Sequence, residues 1–168
     1  LIEHVMNYEG TEAFIAGGGI WPEPYQFNPA IERRSFFWGR DKNGQLQYYD
    51  DYNNPDGPGY HHEEWYVPAR YLRGGSTFWS KSYMDPYSYQ PMVTVTVPMY
   101  RDGRFYGVST VDLKLTGLKE LLGETARQYG GYAFALDRNG KILSFPDEAL
   151  TKVYGTDADG GRTEDFIS

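Results

Sequence analysis

The chain has 168 residues, enough for one domain of ordinary size, or one domain and part of another, with a core that needs no covalent staples. Sixteen Lys and Arg against 23 Asp and Glu give a formal net charge of -7. That balance argues against a nucleic-acid backbone or an anionic membrane surface as partner, since both need clustered basic residues. The absence of cysteine excludes disulfides, thiolate metal centres and Cys nucleophiles, and leaves the compartment open. Aromatic residues reach 17%, with 16 Tyr and 4 Trp, side chains that concentrate where proteins bind other molecules. No apolar run approaches the roughly 18 to 20 residues that span a bilayer. Leu1 begins mid-pattern with no signal peptide, so the sequence is expected to be a segment of a longer protein.

Ile2, Val5, Met6, Ala13 and Phe14 have helical spacing, which predicts a helix over residues 1–16, weakened at Gly10. Gly17-Gly18-Gly19 then reads as a break: a phosphate loop would want a following Lys-Ser/Thr, so a turn with positive φ or a close chain crossing is expected, the turn reading being favoured over the phosphate loop. Pro22 and Pro24 keep the next residues extended. Residues 34–40 and 45–52 read as strands around the turn Asp41-Lys42-Asn43-Gly44. Asn53 to Gly59 is loop, and residues 61–72 are expected as a short helix that Pro68 interrupts. Three strands follow, 77–83, 93–100 and 104–113, the last two joined by Arg101-Asp102-Gly103. Residues 116–129 form an amphipathic helix with Leu118, Leu121, Leu122 and Ala126 on one face, stopped by Gly130-Gly131. A further hairpin, 132–136 with 141–145, surrounds Asp137-Arg138-Asn139-Gly140, and the tail from Gly155 is poorly patterned. Antiparallel hairpins flanked by helices define an α+β layout, with a second sheet starting near 129–131.

Few catalytic constellations are supported. His61-His62-Glu63-Glu64 lacks the second His four residues on that a zinc peptidase helix needs, so no metal or cofactor is expected; a polar segment start is favoured. No Gly-x-Ser-x-Gly is present, and three His allow few triads. Glu63, Glu64, Asp85 and Asp112 leave open a carboxylate-dependent hydrolase. Asp50 to Asp56 is acidic like a calcium loop but lacks its Gly and closing Glu. More prominent is the pairing of aromatics with acids: Glu63 and Glu64 before Trp65-Tyr66, Trp79 before Tyr83-x-Asp85, and Asp112 closing a strand. Such a set holds a cation through ring faces and carboxylates, or else packs a core beneath solvated acids; residue types leave both open.

The order Glu63-x-Trp65-Tyr66-x-x-Ala69, then Tyr83-x-Asp85, then Val93 to Pro98 and Gly107 to Asp112 followed by Leu113-x-Leu115-x-x-Leu118, resembles the membrane-distal module of bacterial double-Cache sensor domains. These PAS-like extracytoplasmic domains belong to chemoreceptors, histidine kinases and cyclic-di-nucleotide enzymes. The resemblance spans residues 15–125, and 130–150 resemble the start of the membrane-proximal module. It implies a PAS-like fold with a long N-terminal helix, a ligand module over 1–129 and part of a proximal module over 130–168. It implies a periplasmic or extracellular sensor that is anchored by transmembrane helices outside this sequence, binds an amine or amino acid, and is compatible with a homodimer.

In the amino-acid-binding members an Arg two places before the Trp-Tyr pair holds the ligand carboxylate, and here that place is Glu63. Tyr83, Asp85 and Asp112 match the residues that hold the ammonium. An acid in place of that Arg is similar to the amine-sensing branch. The resemblance therefore implies ligand contacts from Glu63, Trp65, Tyr66, Trp79, Tyr83, Asp85 and Asp112, with amines preferred over carboxylates. Trp65, Tyr66, Tyr83, Asp85 and Asp112 are expected to line one cavity on the sheet, covered by residues 61–72. Were Glu63 turned to solvent, Arg70 or Arg73 would admit an acid instead. The residues 21–28 and the 36–60 hairpin depart from the family pattern and leave the outer wall open. A hydrolase and a ligand-free dimerisation module remain the rival readings.

Overall fold

The computed structural model describes residues 2–145; the predicted tail from Gly155 lies outside the described residues. A short helix α1, Ile2–Met6, leads through a 3-10 turn into β1, Ile15–Pro22. Then come β2 (Phe36–Arg40), β3 (Leu46–Tyr49), β4 (Phe78–Trp79), β5 (Tyr83–Met84), β6 (Pro91–Arg101) and β7 (Arg104–Lys114). Helix α2, Leu115–Gln128, separates these from the hairpin β8 (Ala135–Leu136) and β9 (Ile142–Ser144). The main sheet runs β3-β2-β1-β7-β6-β4 with β5 also on β6, and every pairing in it is antiparallel. The second sheet is the two-stranded β8-β9 ladder.

The β6-β7 hairpin is the longest element, and its turn follows from two residues. Asp102 (φ 52°) and Gly103 (φ 74°) both occupy the left-handed region, the requirement of a two-residue turn whose twist matches the strands. Register then places Thr94 opposite Asp112, Thr96 opposite Thr110 and Pro98 opposite Val108. On the other side of β7, Gly17, Gly19 and Trp21 of β1 face Asp112, Thr110 and Val108. All of these share one face because strand side chains alternate.

That face carries an aromatic core of Trp21, Phe37, Tyr60, Trp65, Tyr66, Ala69 and Val108. Trp21 is its hub, with ring centroids 4.7 Å from Trp65 and 5.3 Å from Phe37, and its indole N–H donates to Thr110 Oγ1 at 2.8 Å. Residues 60–72 cover this core as two 3-10 turns, Tyr60–His62 and Val67–Tyr71, rather than the expected helix. Pro68 has no amide hydrogen to offer an α-helical ladder. Tyr60 pins the segment by donating to the Pro22 carbonyl at 2.6 Å.

Three other sequence expectations are corrected. The helix predicted over 1–16 ends at Met6, because the Met6 carbonyl is taken by Arg40 Nη2 (2.7 Å) and Thr11 Oγ1 (2.9 Å), and Gly10 turns left-handed at φ 82°. The N-terminal helix is thus five residues among those described, not long. The strand expected over 77–83 is split into β4 and β5. Ser80 interrupts it, accepting the Thr94 amide on its hydroxyl while its own amide bonds the Thr94 carbonyl, both at 2.9 Å.

The glycine triplet is the third. It is the middle of β1, not a turn. A Cβ on Gly17 would meet the Trp38 carbonyl at 2.6 Å, one on Gly18 the Thr110 carbonyl at 2.5 Å, and one on Gly19 the Phe36 carbonyl at 2.7 Å. Glycine is needed because both neighbouring backbones approach β1 too closely for any side chain. Gly18→Val is therefore expected to destabilise the fold by at least roughly 1–3 kcal/mol, the usual cost of overpacking. Urea unfolding measures it; an unchanged midpoint would show that Met6 and β7 yield easily.

Candidate functional site

Between the aromatic face of the sheet and the 60–72 cover lies a cavity of about 400 Å³. Its lining includes Glu63, Trp65, Tyr83, Asp85 and Asp112, brought together from the cover segment, β5, the loop after it and β7. Glycines 17 and 19 leave the β1 part of the floor bare, and a Cβ at Gly17 would stand 3.2 Å from Asp112 Oδ2. Two of the residues implied by resemblance lie elsewhere. Tyr66 is fully buried behind Trp65, where its hydroxyl donates to Glu23 Oε2 at 2.7 Å. Trp79 is 46% exposed on the short edge strand β4.

Asp112 sits on the floor, buried, opposite Thr94. Thr94 Oγ1 donates to Asp112 Oδ1 at 2.8 Å and lies 2.6 Å from the Tyr83 hydroxyl. A threonine hydroxyl has one hydrogen, so Tyr83 must donate to Thr94 while Thr94 donates to the carboxylate. The relay stabilises the ionised acid and lowers its pKa. Burial opposes it and wins: with Asp85 adding like-charge repulsion, Asp112 is pushed up to about 7. Tyr83, buried beside this charge, is held well above the ordinary tyrosine range.

Asp85 is buried as well, and its Oδ2 accepts from the Ser88 amide at 2.8 Å and from the Ser88 hydroxyl. Tyr89, at φ 55°, closes the same turn by donating its amide to the Asp85 carbonyl at 3.0 Å. Asp85 thus shapes the loop that carries Tyr87, while Oδ1 has no hydrogen bond to a described residue. Tyr87 is clasped by Tyr49, centroids 4.2 Å apart, and by Asp51, which accepts its hydroxyl at 2.7 Å.

The outer wall, left open by the sequence, is built by the 36–60 hairpin. Phe37 and Tyr52 line the cavity, and Tyr87 is latched to Asp51 from the same segment. Trp21, Thr94 and Thr110 complete the interior. Sequence reasoning missed these residues; the signal was the glycine triplet, whose position in a strand fixes which β6 and β7 residues face the site. It also missed Lys81, which lines the cavity from the break between β4 and β5. Arg70, offered by the sequence as a substitute cation, is engaged by Glu23 at 2.5 Å and lies over the Tyr66 ring. Glu64 is paired with Arg138, from the β8-β9 turn. Glu63 is half-buried, and burial raises its pKa. Among the described residues no group of three His, Cys, Asp or Glu is placed to hold a metal ion.

A buried acid pair and a ring-lined cavity on one face of an antiparallel sheet, under an irregular cover, define a ligand-sensing α+β domain of the PAS-like class. Residues 2–120 match the family described as methyl-accepting chemotaxis protein-like, first PDC sensor domain, and the chain belongs to that family. Relatives agree. Over 95 residues the sequence is 31% identical to the methyl-accepting chemotaxis protein PctB of Pseudomonas aeruginosa, covering 54% of this chain and 15% of that protein. The fold is similar to a solved methyl-accepting chemotaxis protein X, with a TM-score of 0.64 at 21% identity, over 89% of this chain and 56% of the other. It is also similar to the extracellular domain of soHK1S-Z6, described as a histidine kinase, with a TM-score of 0.55 at 26% identity, over 92% and 54% of the two chains. The chain thus spans 15% of that curated relative and about half of these solved structures. Among the described residues, no helix is long and apolar enough to cross a membrane.

Proposed function

We propose that residues 1–129 form the membrane-distal ligand-binding module of an extracytoplasmic receptor, with part of a proximal module beginning at 130. Its ligand is a small organic ammonium ion, held by Asp85 and Asp112 and contacted by Glu63, Trp65 and Tyr83. The observation that carries this reading is Asp112: a buried carboxylate facing a second acid, in a cavity walled by aromatic rings. An arriving ammonium relieves the repulsion and satisfies the acids, and ring faces attract its N–H and C–H groups. Extracellular relatives support placement outside the cytoplasm, with the signal leaving through helices beyond this sequence. The carboxylates are read as ligand acceptors rather than as an acid-base pair, so no turnover of a glycoside panel is expected.

Lys81 favours a second reading. As a cation on the cavity wall, it is able to take the carboxylate that the family's Arg would take, admitting an α-amino acid. Calorimetry with an alkylamine and its α-carboxylated analogue separates the two. The amine is expected to bind more tightly; tighter binding of the carboxylated form, lost in Lys81→Met, would establish the second reading instead. A thermal-shift screen in which no amine, amino acid or organic acid raises the melting temperature would point to the ligand-free dimerisation module.

A further inference from the structure

Resting on the ammonium reading of the cavity, we propose that the ligand is a linear diamine, with one ammonium at Asp85 and Asp112 and the other at Glu63. Space is the first argument. The cavity is about 400 Å³, whereas a single ammonium group needs roughly the 30 Å³ of a water molecule. A second hollow of about 340 Å³ adjoins it, and Tyr52, Glu63, Pro86 and Tyr87 line both. The site is therefore elongated, and Glu63 stands at the junction.

Charge is the second argument. Four carboxylates line the main cavity: Glu63, Glu64, Asp85 and Asp112. Glu64 is neutralised by Arg138, and Lys81 offsets one more. With all groups ionised, two negative charges are left, which a monoamine half compensates and a dication balances. The Glu63 carboxylate itself has no hydrogen-bond or ion-pair partner among the described residues.

The third argument is that the acids occupy different parts of the lining: Glu63 is on the cover segment and borders both hollows, whereas Asp112 is on the sheet and borders the main cavity. Asp85 acts on Asp112, while burial alone accounts for the shift at Glu63. Tyr52 lines both hollows beside Glu63. Trp65, Tyr87 and Phe37 line the main cavity as well, apolar surface suited to a methylene chain. An acid pair in the main cavity, Glu63 where the second hollow begins, and rings along the shared lining suit a short α,ω-diamine.

The test is calorimetry on the 168-residue chain at low salt with n-butylamine, 1,4-diaminobutane and its three- to six-carbon homologues. In the wild-type protein the best diamine is expected to bind at least about tenfold more tightly than the monoamine of equal length, the gain of a second charged contact. Glu63→Gln is expected to bring that ratio close to one, while Asp112→Asn weakens both ligands. Equal affinities in the wild type would overturn the diamine proposal and leave the ammonium reading standing. A ratio that survives Glu63→Gln would overturn the placement of the second ammonium. Binding of neither ligand would instead refute the ammonium reading itself.

Discussion

Asp112→Asn is expected to weaken binding of an alkylammonium by roughly 1.5 to 3 kcal/mol, the contribution of one charge-assisted hydrogen bond, or about ten- to 150-fold in affinity. The substitution is informative because it changes little else. The Asn amide oxygen still accepts from Thr94 Oγ1, so the chain from Tyr83 through Thr94 keeps its geometry. A buried charge is removed and no cavity is created, so the folded state survives. Calorimetry near pH 8, where the native carboxylate is ionised, gives the comparison. A change below twofold would mean that the ammonium does not reach the floor of the cavity. Asp85→Asn is a less clean control, since Asp85 also accepts the Ser88 hydrogen bonds that shape its loop.

The ligand-free protein is expected to become more stable as pH falls from about 8 towards 5. Asp112 has a pKa of about 7 in the folded chain, against an ordinary value of 3.8. Between these values the native state holds a proton that the unfolded state has released, so stability rises as pH falls through 7 and levels off near 4. At one pKa unit per 1.36 kcal/mol, the ceiling is on the order of 4 kcal/mol. Glu63, raised by burial, adds in the same direction. Chemical denaturation at a series of pH values measures this, and Asp112→Asn should flatten most of it. Amine affinity runs the other way. An ammonium needs the ionised acid, so below pH 7 each bound amine expels a proton and affinity falls by up to tenfold per pH unit. Calorimetry near pH 6.5 in buffers of different ionisation enthalpy reads the released proton. A heat independent of the buffer would show that Asp112 is already ionised in the empty cavity.

Much of the site was legible because it is carried by short strings with fixed spacing. Tyr83-x-Asp85 and the strand ending at Asp112 point to a binding site by resemblance, and both acids open into one cavity. Tyr66 lies outside the cavity because residues 63–67 form a turn closed on the Glu63 carbonyl, with Tyr66 in helical backbone, so its side chain leaves the turn in another direction from Trp65 and reaches Glu23. Trp79 lies outside the cavity for a different reason. The strand around it is two residues long and lies at the sheet edge, so its pattern carried no signal of which face is covered.

The sequence by itself determined the α+β layout, the β6-β7 hairpin with its Asp-Gly turn, helix α2 and the acids of the site. These rest on local chemistry: alternation, turn residues with positive φ, and periodic leucines. Only the tertiary structure decided the rest. The glycine triplet looks like a turn in isolation, and becomes a central strand because two neighbouring backbones close over it. The N-terminal helix is cut at Met6 by Arg40, 34 residues away in sequence. Glu63, Lys81 and Tyr52 come from distant segments, and their meeting around one cavity, with the pKa that burial imposes on Asp112, depends on packing. Desolvation and charge proximity are properties of assembled space, which no local pattern encodes.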